Sequence, residues 1–113
     1  MSIDTLPKIA LVQMEVRPGR PDLNVERMLH FIQEGREAGA ELVVFSEFCI
    51  SGYILGDLWE VDALVEDFVA YSDTICEASQ GLTVLFGNVA VDKDNIGEDG
   101  RVRKYNAVCV CAD

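Results

Sequence analysis

The stretch Glu41-Leu-Val-Val-Phe-Ser-Glu-Phe-Cys-Ile-Ser-Gly-Tyr53 decides how the rest of the chain is read. Its first five residues form a short apolar run that reads as a strand buried in a sheet. The run breaks at Ser46 and Glu47, and Gly52-Tyr53 closes the segment. In α/β sheets, functional residues collect at the carboxyl ends of strands. Glu47 stands at such an end, between the apolar residues Val44, Phe45, Phe48 and Ile50. Poor solvation there is expected to make its carboxylate more basic, as a general base requires. The same position also suits a carboxylate that caps a backbone turn or pairs with a buried Arg or Lys, and spacing alone leaves both readings open.

Working outward, Lys8-Ile-Ala-Leu-Val-Gln-Met14 is a near-continuous apolar run and reads as a strand buried on both faces. Arg17-Pro-Gly-Arg-Pro21 interrupts regular structure. Asp22 or Asn24 can cap the helix that follows, because the first N–H groups of a helix need acceptors. Val25, Met28, Leu29 and Ile32 fall near helical spacing and give that helix one inward face. Gly35 weakens its interior, and Gly39 suits the residue just past its end, where φ is often positive. This helix is long enough for a parallel crossover between the two strands.

A second helix is predicted over about 61–79, with Leu64, Val65, Phe68, Val69, Ser72, Ile75 and Cys76 as its inward stripe. Asp57, Trp59 and Glu60 either begin it, with Asp57 as cap, or frame a pocket entrance or an oligomer contact. Leu82-Thr-Val-Leu-Phe86 reads as a third strand stopped by Gly87-Asn88. The polar stretch 92–103 reads as an exposed turn leading into a strand that ends at Tyr105-Asn-Ala-Val-Cys-Val-Cys111. The pattern β-α-β-α-β-β predicts an α/β fold with a mixed sheet. A buried strand so near residue 113 leaves an edge uncovered, so the natural fold is expected to continue. The alternative is a complete small domain with its last strand inside the sheet.

The chain has 113 residues, half of them apolar, which suffices for one small domain. A net charge of −11 argues against a nucleic-acid partner and against an anionic membrane surface. No apolar run approaches the roughly 20 residues of a membrane span, and the first residues resemble no secretory signal, so a cytoplasmic location is expected. Cys49, Cys76, Cys109 and Cys111 form no C-x-x-C pair, and the one His, His30, is distant. No metal site is expected, and the cysteines read as buried free thiols in a reducing compartment.

The opening stretch resembles the glutamate motif of the nitrilase, or carbon–nitrogen hydrolase, superfamily: an apolar strand, a Pro-Glu or similar pair, a few residues, then Gly-Tyr. Lys8-Ile-Ala-Leu-Val-Gln13 looks like the family's first strand, and Asn24 like the Asn that opens its first helix. Ala38-Gly-Ala40 looks like the helix exit, and Leu85-Phe-Gly-Asn88 and Tyr105-Asn-Ala107 like the next strand pair. The resemblance runs from about Lys8 to Asp113. Within the superfamily, Gly52-Tyr-Ile-Leu-Gly-Asp-Leu-Trp-Glu60 is similar to the glutaminase domain of glutamine-dependent NAD synthetases.

The resemblance implies the N-terminal part of an α-β-β-α sandwich, with residues 1–113 an apparently truncated piece of a glutaminase domain. It implies a Glu-Lys-Cys triad in which the Cys attacks an amide or nitrile carbon, the Glu takes its proton, and the Lys stabilises the oxyanion. Glu47 maps onto the Glu. The Lys and Cys map onto nothing here, because in the family both lie further along. Cys49 is assigned to core packing or pocket lining, Lys104 lies on the wrong side of the last strand, and Lys93 belongs to the polar turn. Tyr53 either lines the substrate pocket, as the matching Tyr does in the family, or is a core Tyr with its hydroxyl satisfied. Ser46 departs from the usual Pro and leaves the turn before Glu47 less constrained.

The implied function is hydrolysis of glutamine to supply ammonia for ATP-dependent NAD synthesis. The glutaminase domain itself needs no cofactor, ATP belongs to a synthetase domain outside the chain, and the full-length protein is expected to be a homo-oligomer. A free-standing amidase or carbamoylase is the alternative, and a non-catalytic binding module is a third reading. A nucleotide-binding version of that module lacks both the G-x-G-x-x-G fingerprint and a Walker A loop. Without a second sheet, one face of the fold would expose apolar surface.

Overall fold

The computed structural model describes residues 6–112. A four-stranded mixed sheet carries two helices, in the order β1 (Ile9–Leu11), α1 (Pro21–Glu37), β2 (Leu42–Val44), α2 (Asp62–Ala78), β3 (Thr83–Ile96) and β4 (Val102–Ala112). The strands lie in chain order, β1, β2 and β3 parallel and β4 antiparallel to β3. Each parallel step is bridged by a helix, as parallel neighbours require. This is the predicted β-α-β-α-β-β pattern, the N-terminal part of a nitrilase-like fold with one helix layer on one sheet.

The core lies between that sheet and the helices. Val25, Met28 and Ile32 of α1 and Ile75 of α2 meet Val43, Phe45, Val84 and Phe86, all buried. Each such side chain contributes roughly 1.5–3 kcal/mol on leaving water. Gly35 is buried against β2, where an added Cβ would lie 3.0 Å from Val43 Cγ2. The helix propensity lost at Gly35, about 1 kcal/mol, is offset by the close approach of helix to strand.

Several expectations are corrected. The first strand is not buried on both faces: Ile9 is 48% and Leu11 77% exposed. Among the described residues no helix covers their face of the sheet, and the register sets Leu11, Val44, Leu85 and Val110 side by side across it. Neither Asp22 nor Asn24 caps α1. Arg20 holds the cap position without a side-chain hydrogen bond, and Pro21 fills the first turn, where its missing N–H is harmless. Gly39 follows the helix at φ +80, as expected. Asp57 does not cap α2 either, since residues Gly56–Glu60 form a short 3-10 helix and Val61 holds the cap. Val69, 37% exposed, and Cys76, also exposed, are not part of the buried stripe of α2.

The third strand does not stop at Gly87-Asn88 but runs through to Ile96. The buried Asn88 is satisfied there, its Nδ2 donating to Phe68 O and Ser72 Oγ at 2.8 Å. A turn-forming residue is thus tolerated in a strand because α2 completes its hydrogen bonds. Lys93 accordingly lies within β3, in an exposed pair with Glu66 at 3.8 Å, and not in a turn.

The cysteines are not all free. Cys76 of α2 and Cys111 of β4 form a disulfide, with Cα atoms 5.1 Å apart, while Cys49 and Cys109 remain thiols. The pair is 35 residues apart in sequence and is joined only because α2 crosses the end of β4.

Candidate active site

Beyond β2 the chain keeps to the sheet for one more step, Phe45 N–H donating to Leu85 O at 2.8 Å. It then turns sharply. Gly87 N–H donates to Ser46 O at 3.2 Å, and Gly52 N–H to Phe48 O at 2.8 Å. Phe48 has φ +47, a conformation that costs a non-glycine residue about 1–2 kcal/mol. This left-handed step sends the side chains on either side of Phe48 in opposite directions. Cys49 goes into the core, fully buried, with its Sγ 3.7 Å from Met28 Sδ and 3.6 Å from Gly87 O. Glu47 goes outward over the open end of the sheet, with its side chain exposed.

Two contacts seat this turn. A Cβ at Gly87 would lie 2.5 Å from Phe48 N and 2.7 Å from Glu47 Cα, so the turn occupies the space a side chain would fill. On the other side, Gly52 (φ +75) lies against Pro18, and Gly19 N–H donates to Ser51 O at 2.8 Å. The buried Asn24 locks these loops together. Its Oδ1 accepts from Arg17 N–H at 2.8 Å, and its Nδ2 donates to Arg17 O at 2.9 Å and Ile50 O at 2.8 Å. The pattern-derived cap is therefore a bolt between the β1–α1 loop and the Glu47 turn. Ser46 in place of Pro does not leave this turn loose, because β3 and Asn24 constrain it.

The Glu47 carboxylate is held at both oxygens. Asn106 Nδ2 donates to Oε1, and the Tyr53 hydroxyl donates to Oε2 at 3.2 Å. The negative charge of Glu47, together with that hydrogen bond, raises the Tyr53 phenol above its ordinary pKa. Tyr53 is 55% exposed, with its ring edge-on to Phe48 at 5.6 Å. It is not a core residue. Phe48 also meets Trp59, which rests on Phe68 of α2, so an aromatic row supports the turn from below.

Glu47 borders two open hollows. One is lined by Val44, Leu85, Gly87, Asn106, Ala107 and Val108 among others, the second by Val16, Pro18, Phe48, Tyr53 and Ile54. Neither contains a Lys or a Cys. Lys104 lines a separate hollow with Asp62 and Glu66. Burial pushes the Cys49 thiol up to about 11, so it is a poor nucleophile as well as a buried one. Glu47 is not buried as expected: its side chain is exposed, because nothing among the described residues covers that face. Asn106 joins the site although its own stretch of sequence, Tyr105-Asn-Ala107, signals no more than a strand residue.

The model of the carbon–nitrogen hydrolase family matches residues 8–112. The chain belongs to the carbon–nitrogen hydrolase family. Among solved structures, it is similar to a glutamine-dependent NAD(+) synthetase from Cytophaga hutchinsonii, with 27% identity and a TM-score of 0.78, covering 90% of this chain and 16% of that one. It is also similar to the glutamine-dependent NAD+ synthetase from Acinetobacter baumannii, with 26% identity and a TM-score of 0.65, covering 92% of this chain and 18% of that one. An amidase from Nesterenkonia sp. shares the fold at 20% identity and a TM-score of 0.64, over 87% of this chain and 41% of the amidase. The carbon–nitrogen hydrolase chain described here thus spans less than a fifth of the two synthetases. No curated protein matches it. Among the described residues, no helix is long and apolar enough to cross a membrane, and no group of three or more His, Cys, Asp or Glu could hold a metal ion.

Proposed function

We propose that this chain forms the base-bearing part of a glutaminase site, in which Glu47 is the general base. The observation that carries the reading is the Glu47 carboxylate itself, standing at the end of β2 and fixed at both oxygens by Asn106 and Tyr53. A thiol is mostly protonated at neutral pH and needs a base within hydrogen-bond reach to attack an amide. Glu47 serves that role for a Cys supplied by sequence outside residues 1–113, and a Lys from the same region stabilises the oxyanion. Tyr53, on the rim of the hollow, meets the amide substrate.

Glutamine is the substrate, and the released ammonia serves ATP-dependent NAD synthesis. The likeness to two glutamine-dependent NAD synthetases supports this choice over a free-standing amidase. ATP is assigned to a synthetase domain outside the chain, and no residue described here is assigned to it.

The test is ammonia release by the protein expressed with its whole reading frame, on glutamine and on simple aliphatic amides. Glu47→Gln is expected to lower glutamine turnover by at least about 100-fold, the usual contribution of a general base. Undiminished turnover in that variant overturns the base assignment. A preference for simple amides over glutamine, with no ATP-dependent product, favours the free-standing amidase.

A further inference from the structure

We propose that Asn106 is a positioning residue that holds the Glu47 carboxylate in its working rotamer, an inference that rests on the general-base reading of Glu47. An exposed glutamate has three rotatable side-chain bonds, and ordering it costs conformational entropy. Productive proton transfer needs the carboxylate in one place before the substrate arrives. Asn106 and Tyr53 both bond it, but from unequal supports. Asn106 lies on β4, in register opposite Val89 of β3, inside a continuous antiparallel ladder. Tyr53 lies in the loop after the turn and is 55% exposed. Both side chains are exposed, but the backbone of Asn106 is held in the ladder, so the strand residue is the more rigid anchor.

The chemistry of the amide suits the task. An ionised carboxylate only accepts hydrogen bonds, so it selects the Asn106 NH2 and excludes the flipped orientation. Among the described residues, Asn106 makes no other side-chain hydrogen bond, so Glu47 alone orients it. A Lys or Arg at this position would hold the carboxylate more strongly but would also favour its charged form and weaken it as a base. A neutral donor fixes the position without adding a charge. Gly87, in the same hollow, lets the turn sit close enough to β3 for the side chain of Asn106 to reach it.

The experiment compares Asn106→Ala and Asn106→Asp with wild type and Glu47→Gln in the whole-frame protein, measuring kcat and KM for glutamine together with melting temperature. Both Asn106 variants are expected to lose about 10- to 100-fold in kcat, as a misplaced catalytic group does, with KM within about twofold. Asn106→Asp keeps the side-chain shape but sets one carboxylate against another at neutral pH. It is therefore expected to be at least as damaging as Asn106→Ala. A kcat within twofold of wild type in Asn106→Ala, or an Asn106→Asp enzyme milder than Asn106→Ala, overturns the proposal, because a space-filling role gives that order. If Asn106→Ala fails to fold, the isosteric Asn106→Asp decides. Loss of activity in Glu47→Gln with both Asn106 variants normal removes Asn106 and leaves Glu47 as base. Full activity in Glu47→Gln overturns both assignments.

Discussion

Gly87→Ala is the most informative single substitution, because one methyl group is aimed at the backbone that carries Glu47. The added Cβ would stand 2.5 Å from Phe48 N, 2.7 Å from Glu47 Cα and 2.9 Å from Glu47 C. These are main-chain atoms and cannot swing away as the tip of a side chain would. Reaching an ordinary contact of 3.4 Å requires the turn to retreat by about 0.9 Å. Overpacking of this kind costs typically about 1–3 kcal/mol. A misplacement near 1 Å costs a catalytic group on the order of 100-fold in rate. Urea denaturation should show the stability loss, and ammonia release by the whole-frame protein should show the rate loss. Gly39→Ala is the matched control. It meets nothing within 4 Å, and at φ +80 it pays only the left-handed penalty of about 1–2 kcal/mol with activity unchanged. A Gly87→Ala protein as stable and as active as wild type would refute the claim that β3 seats the Glu47 turn.

Three further outcomes are expected. Asn24→Ala strands the Arg17 and Ile50 backbone groups that its buried amide now satisfies and should cost roughly 2–4 kcal/mol in urea unfolding, so a loss under 1 kcal/mol would argue that water replaces the amide. Reduction of Cys76–Cys111, or Cys76→Ser, should lower stability by about 3–4 kcal/mol by freeing a loop with a sequence separation of 35. Alkylation in denaturant before and after reductant, with the labelled peptides read by mass, checks that the bond is present, and labelling of Cys76 and Cys111 without reductant would show that it is not. In Glu47→Gln the Tyr53 phenol should titrate at lower pH than in wild type, because the charge that raises it is gone. Difference absorbance of the phenolate against Tyr53→Phe isolates that group, and an unmoved titration would mean that the Glu47–Tyr53 contact does not persist in solution.

The order of elements, the mixed sheet and the strand-end position of Glu47 were legible in the linear chain. Apolar runs and helical spacing are local signals, and backbone hydrogen bonding converts them directly into strands and helices. The glutamate motif was legible for the same reason: it is one contiguous stretch. Tertiary contact decided the rest. Gly87-Asn88 carries a stop signal, yet the strand continues, because the Glu47 turn fills the space over Gly87 and α2 satisfies Asn88. Asn24 carries a cap signal, yet two loops use its amide more fully than a helix end would. Cys76 and Cys111 show no recognisable spacing, and only the crossing of α2 over β4 brings them together. Asn106 stands 59 residues from Glu47, on a strand whose alternation says only which face it takes. Sequence pattern records what each residue does with its near neighbours along the chain. The partners of a side chain across the fold are set by how the layers pack, and that packing placed Asn106 on one oxygen of Glu47, whereas Tyr53 reaches the other from within the same contiguous segment.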